Sequence, residues 1–153
     1  MSYTMTRERL RDVYAELEPL YKEHYAAMAA RLAENGVPVS PYKPNLVAYF
    51  RSDDDGRLLT FVLRHDGEAC GYINVYVVPD NHNGDLIAQE DVLYVTPKHR
   101  GGTGKNLVKF GLDELRKMGV KRLNVAAGTD LRVIPLWKRM GFKEVATQMT
   151  YVF

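Results

Sequence analysis

An intrachain disulfide is excluded first: the chain holds one cysteine, Cys70, among 153 residues, which fits a reducing, cytoplasmic compartment. Long apolar runs are missing too. Nothing approaches the ~20 consecutive apolar residues that cross a bilayer, and no apolar segment near the start has the form of a signal peptide, so no membrane partner is expected. Excess charge of one sign is absent. The net charge is +2 with both signs interspersed, which argues against a nucleic-acid or membrane-surface partner. Metal-ligand spacing is lacking as well. Asp53-Asp-Asp-Gly56 concentrates three acids but has neither the alternation nor the distant glutamate of a calcium loop, so it reads as a hairpin turn and no metal is expected. Repeats and low-complexity segments do not occur. What is present is ordinary for a globular chain, 46% hydrophobic and 26% charged residues. A chain of this length is expected to form one domain, 1–153, and to bury roughly two-thirds of the surface its unfolded form exposes.

One stretch stands out, Val95-Thr-Pro-Lys-His-Arg-Gly-Gly-Thr-Gly-Lys-Asn-Leu107. A strand pattern, Asp91-Val-Leu-Tyr-Val95, enters it, and an amphipathic helix pattern from Lys105 to Met118 leaves it. Gly101, Gly102 and Gly104 lie between, flanked by Arg100 and Lys105. A helix leaves its first N–H groups without intrahelical partners and its dipole favours negative charge there; glycines let the backbone come close to a phosphate. A phosphate-bearing ligand is expected. The P-loop pattern fails: Gly104-Lys105 is followed by Asn106, which has no hydroxyl for Mg²⁺, and the first glycine falls on His99. The dinucleotide fingerprint fails as well, because its third glycine falls on Leu107.

Val95-x-Pro97-x-x-Arg100-Gly101-Gly102, followed by a helix with a leucine in its first turn, resembles motif A of the GNAT acyl-CoA N-acyltransferases. The family loop [Q/R]-x-x-G-x-[G/A] fits as His99-x-x-Gly102-x-Gly104, with histidine in the first place, or from Arg100, with Thr103 and Lys105 where small residues belong. The simplest reconciliation is a loop one residue shorter than usual. Leu136-Trp-Lys-Arg-Met-Gly-Phe142 resembles the family's LYxxxGF, with Trp137 in the tyrosine position. The N-terminal half loosely resembles compact GNAT proteins of bacteriophages and names no substrate.

Along the chain, residues 6–35 read as helical, with Thr6 as cap, a break or kink at Pro19, and a stop at Asn35-Gly36. Val37 to Pro44, with three prolines, is a loop. Leu46–Arg51 reads as a strand or a short helix. Leu58–Leu63 and Cys70–Val78 are strands joined by a turn at His65-Asp-Gly67, and Asp85–Val95 is the next strand. Cys70 reads as a plain buried thiol. A strand at Arg122–Ala126, a turn at 127–130, a helix from Leu131 to Met140 and one or two strands within Phe142–Phe153 complete the order. A strand–helix–strand unit demands a parallel crossover, so the expected fold is α/β: a mixed, mostly antiparallel sheet with helices on both faces and an N-terminal helical pair. This order matches the GNAT fold, whose central strand pair splays.

The resemblance implies transfer of an acetyl group from acetyl-CoA to an amine of a small molecule or protein, by direct attack in a ternary complex. It places pantetheine along Leu93, Tyr94 and Val95. It places the pyrophosphate on the N–H groups of Arg100, Gly101, Gly102, Thr103, Gly104, Lys105 and Asn106, with Trp137 packing under the cofactor. His24 and Tyr25 would border the acceptor site. The reaction needs a base, oxyanion donors and a proton for the leaving thiolate. Asp91 and Glu90 are the candidate bases on the strand, pointing to opposite faces, with His82 and His24 as rivals. A strand N–H near Leu93 or Tyr94 would serve the oxyanion. Indole N–H does not release its proton near neutrality, so Trp137 cannot act as the family's acid; Tyr94 and Tyr151 are available. A homodimer is compatible with this reading. The alternative is a catalytically weak GNAT-like module that binds a protein partner or nucleic acid.

Overall fold

The computed structural model describes residues 2–127 and 132–153, in two compact units. The first comprises the chain up to Tyr21 and from Pro44 to Val125; the second comprises Lys22–Lys43 and the chain from Ala126.

The first unit is built on a five-stranded sheet whose spatial order follows the sequence: β1 (Tyr3–Glu8), β2 (Leu58–His65), β3 (Glu68–Pro79), β4 (Leu86–Val95) and β5 (Arg122–Asn124). All neighbours are antiparallel except β4 and β5, which are parallel as the intervening helix requires. β2 is apolar on both faces because both are covered. Leu10, Val13, Leu17 and Tyr21 of α1 (Leu10–Glu34) are buried in this unit, and Phe61 meets Phe110 of α3 (Thr103–Lys117), with ring centroids 5.9 Å apart. Full burial of Phe61, Val62 and Leu63 contributes about 1.5–3 kcal/mol per side chain. Gly111 lets α3 approach: a Cβ there would stand 3.4 Å from the Phe61 ring. At the β2–β3 hairpin, Asp66 (φ 49°) and Gly67 (φ 90°) form the expected two-residue turn with positive φ at both places.

The structure settles Leu46–Arg51 as helix: α2 (Leu46–Asp54) starts at Asn45, whose side chain accepts from Ala48 N–H. Three expectations are corrected here. Residues 6–8 are not helical; they end β1, in which only Tyr3 and Met5 alternate with polar residues, too short a pattern to mark a strand, and which is held by its register with β2 and by Glu8 on Arg64 at 2.9 Å. Pro19 does not break α1, because buried side chains on either side of it, Leu17 and Leu20, outweigh the lost hydrogen bond. Asp53–Gly56 is not a hairpin turn. Asp53 is buried, accepts from Arg9 Nε at 3.1 Å and from the Arg11 N–H at 3.3 Å, and so caps the start of α1 from a distance, while Asp54 pairs with Arg9 and Arg11 at 2.6 Å each.

In the second unit, the rest of α1 runs to Glu34, and the loop after it is fastened by Tyr25, whose hydroxyl donates to Ser40 O at 2.5 Å and whose ring tilts against Tyr42. The helix near 131–140 is α4 (Val133–Arg139). Of the turn expected at 127–130, residues 128–130 lie outside the described residues, as does Leu131. The expected strands within 142–153 are not formed: that segment has no ladder partner, and Val145, Met149 and Tyr151 are exposed. β-propensity alone does not make a strand; the ladder does.

Candidate active site

The site in the first unit is organised by β4. Its ladder with β3 runs Asn74↔Val92 and then Val75↔Glu90, so Asp91 is the extra residue of a β-bulge. The bulge interrupts strict alternation. Glu90 stays on the face of Val75, half-buried, while the Asp91 carboxylate turns to α2 and accepts from the Tyr49 hydroxyl at 3.0 Å. Asp91 keeps a solvent-facing rim, but Tyr49 and Tyr76 crowd its carboxyl. Burial therefore raises its pKa, partly opposed by the Tyr49 hydrogen bond. The same surroundings, with the Asp91 charge, push Tyr49 and Tyr76 upward. Tyr49 and Tyr76 were not legible as site residues: a helical tyrosine reaching a carboxylate 42 positions away has no local signature.

On its other edge β4 pairs with β5 only from Ile87↔Arg122 to Gln89↔Asn124. β5 ends there, and among the described residues no strand accompanies β4 on that side from Glu90 to Val95. The two strands part beside the bulge. Leu93 is half-buried opposite Ile73, and Tyr94 and Val95 are buried opposite Tyr72 and Gly71. Gly71 is required there, because a Cβ would meet Tyr94 O at 2.9 Å.

Beyond β4, a 3₁₀ turn (Pro97–His99) leads to Gly101 (φ 107°) and Gly102 (φ 111°), the N-cap of α3. These left-handed conformations are why glycines stand there. The first helical bond runs from Asn106 N–H to Gly102 O, so the N–H groups of Thr103, Gly104 and Lys105 precede it and point out of the helix start. The Asn106 N–H is thereby used within the helix. Thr103 Oγ1 donates to His99 O and closes the turn. Arg100 donates from Nε to Val95 O at 2.8 Å and lies over the Tyr94 ring, so it fastens the loop to the strand. His99 is tied to β1 by a 2.9 Å hydrogen bond with the Tyr3 hydroxyl. Helix start and glycines thus favour the frame His99-x-x-Gly102-x-Gly104. A Cβ at Gly104 would meet only Val95 at 3.8 Å, so the cradle is open to a phosphate. A parted strand pair leading into this cradle fits acetyl-CoA.

His82 is not brought to this cluster. It sits exposed at the β3–β4 hairpin tip, its Nδ1 3.0 Å from Asp80, about 15 Å of strand from Asp91. In the second unit, His24 is half-buried and burial lowers its pKa, the Tyr25 hydroxyl is used on Ser40, and Trp137 is buried against Phe142 with its Nε1 unpartnered.

Residues 11–142 match the acetyltransferase (GNAT) family. Among solved structures, a ribosomal-protein-alanine N-acetyltransferase from Brucella melitensis biovar Abortus 2308 is 20% identical with TM-score 0.72, covering 98% of this chain and 99% of its own. An aminoglycoside acetyltransferase from an uncultured soil metagenomic sample, solved with trehalose, is 15% identical with TM-score 0.75, covering 99% and 96%. Glucosamine-6-phosphate N-acetyltransferase from Arabidopsis thaliana is 14% identical with TM-score 0.66, covering 100% and 99%. No match is found among curated proteins. At these identities the structures share the fold: a mixed α/β architecture with a mostly antiparallel sheet, a parallel final pair and helices on both faces.

Proposed function

The chain belongs to the acetyltransferase (GNAT) family, and on that premise we propose that it transfers an acetyl group from acetyl-CoA to a primary amine by direct attack in a ternary complex. One observation carries the reading: a carboxylate flanked by two tyrosines, Asp91, stands at a bulge where β4 leaves β5 and runs on into an N–H cradle. Acetyl-CoA supplies an activated thioester carbonyl. The N–H groups of Thr103, Gly104 and Lys105 hold its pyrophosphate, with Lys105 adding charge at the helix start. The edge of β4 around Leu93 to Val95, which no strand among the described residues accompanies on the β5 side, aligns the pantetheine arm and offers an N–H to the oxyanion. Asp91 accepts a proton from the acceptor ammonium, and the free amine nitrogen forms the C–N bond as the C–S bond breaks. Glu90 faces away from Tyr49 and is not assigned a role. The proton that the amine nitrogen sheds as it becomes the amide passes through water to the departing thiolate. The neighbours are named for alanine of ribosomal proteins and for aminoglycosides, which supports the amine class and neither acceptor in particular. The single buried cysteine supports a cytoplasmic setting.

The test is binding followed by transfer. Acetyl-CoA should raise the melting temperature where ATP and NAD do not, and CoA thiol should be released in the presence of some member of a panel of aminoglycosides, amino sugars, polyamines and peptides. Absence of acetyl-CoA binding at millimolar concentration overturns the reading. A second reading, a GNAT-like module with weak turnover that binds a protein partner, is favoured by Trp137 in the tyrosine position. It predicts acetyl-CoA binding, no transfer across the panel, and a stable complex in pull-down.

A further inference from the structure

Behind Asp91 lies a buried polar line that the chemistry above does not use. Thr60 of β2 and Asn74 of β3 are a cross-strand pair, both fully buried, and the Thr60 hydroxyl donates to Asn74 Oδ1 at 2.9 Å. Asn74 Nδ2 donates to the Tyr21 hydroxyl oxygen at 2.5 Å. Tyr21 is itself buried, stacked on Tyr72 with centroids 4.6 Å apart, and edge-on to Tyr49 at 6.2 Å. Tyr49 donates to Asp91. Asn74 is also the residue next to the bulge that displaces Asp91. Two buried polar side chains between a sheet and a helix are costly unless satisfied, and the sequence could have placed valine and leucine there. Their arrangement has a direction. Because Asn74 fixes the Tyr21 oxygen as an acceptor, the Tyr21 proton is turned away from Asn74. In each of the three hydrogen bonds the donor lies on the side that leads from the sheet interior towards the carboxylate, and the edge-on contact of Tyr21 with Tyr49 joins the inner pair to the outer one. Aligned donors polarise one another, more so where water is excluded.

We propose that Tyr49 is a positioning residue for the base, and that Thr60, Asn74 and Tyr21 form a buried hydrogen-bonded relay whose last ring, Tyr21, packs edge-on against Tyr49 and holds its hydroxyl on Asp91. This rests on the assignment of Asp91 as the base. Burial alone drives Asp91 towards its neutral form, which cannot accept a proton. The groups facing it are Tyr49 from α2 and Tyr76 from β3, with Tyr21 of α1 behind Tyr49 and Arg57 beside Tyr76. No lysine, arginine or histidine contributes to the titration of Asp91, so hydrogen-bond donation does the work that a cation does elsewhere. Burial first, and then the Asp91 charge and hydrogen bond, push the Tyr49 phenol upward, so it remains a donor to its carboxylate partner.

The experiment titrates the aspartate carboxyls of the full chain by ¹³C NMR, with Asp91 assigned by the signal lost in Asp91→Asn. Tyr49→Phe removes the last donor and should raise the Asp91 midpoint by about one pH unit. Thr60→Val, isosteric and at the far end, should raise it by a smaller amount in the same direction. An unchanged or lowered midpoint in either variant overturns the relay. The readout needs no acceptor and no turnover. Asp91→Asn transferring acetyl groups at the wild-type rate would instead sink the base assignment and leave the titration result standing.

Discussion

A carboxylate that serves as a base must be reachable and have its pKa raised towards neutrality, and the geometry around the proposed base, Asp91, bears on both. The bulge presents it to solvent, and Tyr49 and Tyr76 beside it shield part of its carboxyl. Its pKa lies above the ordinary aspartate value, so transfer should fall as pH drops through that raised value, giving an acid limb well above where a free aspartate titrates; a pH–rate profile measures it. The same shift has a consequence for stability. A folded-state pKa above the unfolded one favours folding at low pH, and that contribution is lost as pH rises from the ordinary aspartate value through the raised one. Asp91→Asn should therefore cost about 10²–10⁴-fold in turnover while melting at the same temperature or higher at pH 7. Gly71→Ala is the contrasting case: its Cβ would meet Tyr94 O at 2.9 Å, so it should lose about 2 kcal/mol of stability in urea unfolding and disturb β4 where the cofactor lies. Asp91 could be singled out from the sequence as a carboxylate on the strand entering the loop. Tyr49 could not, because its role depends on a bulge register that no local pattern encodes.

At the scale of elements, the glycine-rich turn and α3 were legible because their signals are local: positive-φ positions followed by a periodic helix. Gly102→Ala forces an L side chain into φ 111° and should cost about 1–2 kcal/mol, with weaker acetyl-CoA binding by calorimetry. β1 was not legible, since its side chains are nearly all exposed and its pairing is specified by β2. The start of α1 was misplaced for a related reason. Its cap is Asp53, on α2, and not a neighbour in sequence. Asp53→Ala leaves Arg11 N–H and Arg9 without that carboxylate, and should lower unfolding free energy by about 2 kcal/mol without changing the Asp91 titration. The strands expected near the C-terminus failed on the opposite ground: residues of strand-forming type were present, but among the described residues they make no ladder.

For the whole molecule, two motifs separated by some thirty residues, with strand–helix–strand order between them, carried the family to within reach of the sequence, and the match over residues 11–142 agrees. The acceptor was out of reach, because nothing in His24, Tyr25 or the loop that follows selects one amine over another. Cofactor binding should act on the folded chain as a whole: acetyl-CoA at about 100 times its dissociation constant should stabilise it by ~2.7 kcal/mol. The measurement that meets the central claim most directly needs no acceptor. Backbone amide NMR spectra are recorded as acetyl-CoA is added. The amides of Gly101 to Lys105 and of Leu93 to Val95 should shift together and saturate at one stoichiometric equivalent. Shifts confined to other parts of the chain, or none at millimolar acetyl-CoA, would contradict the site.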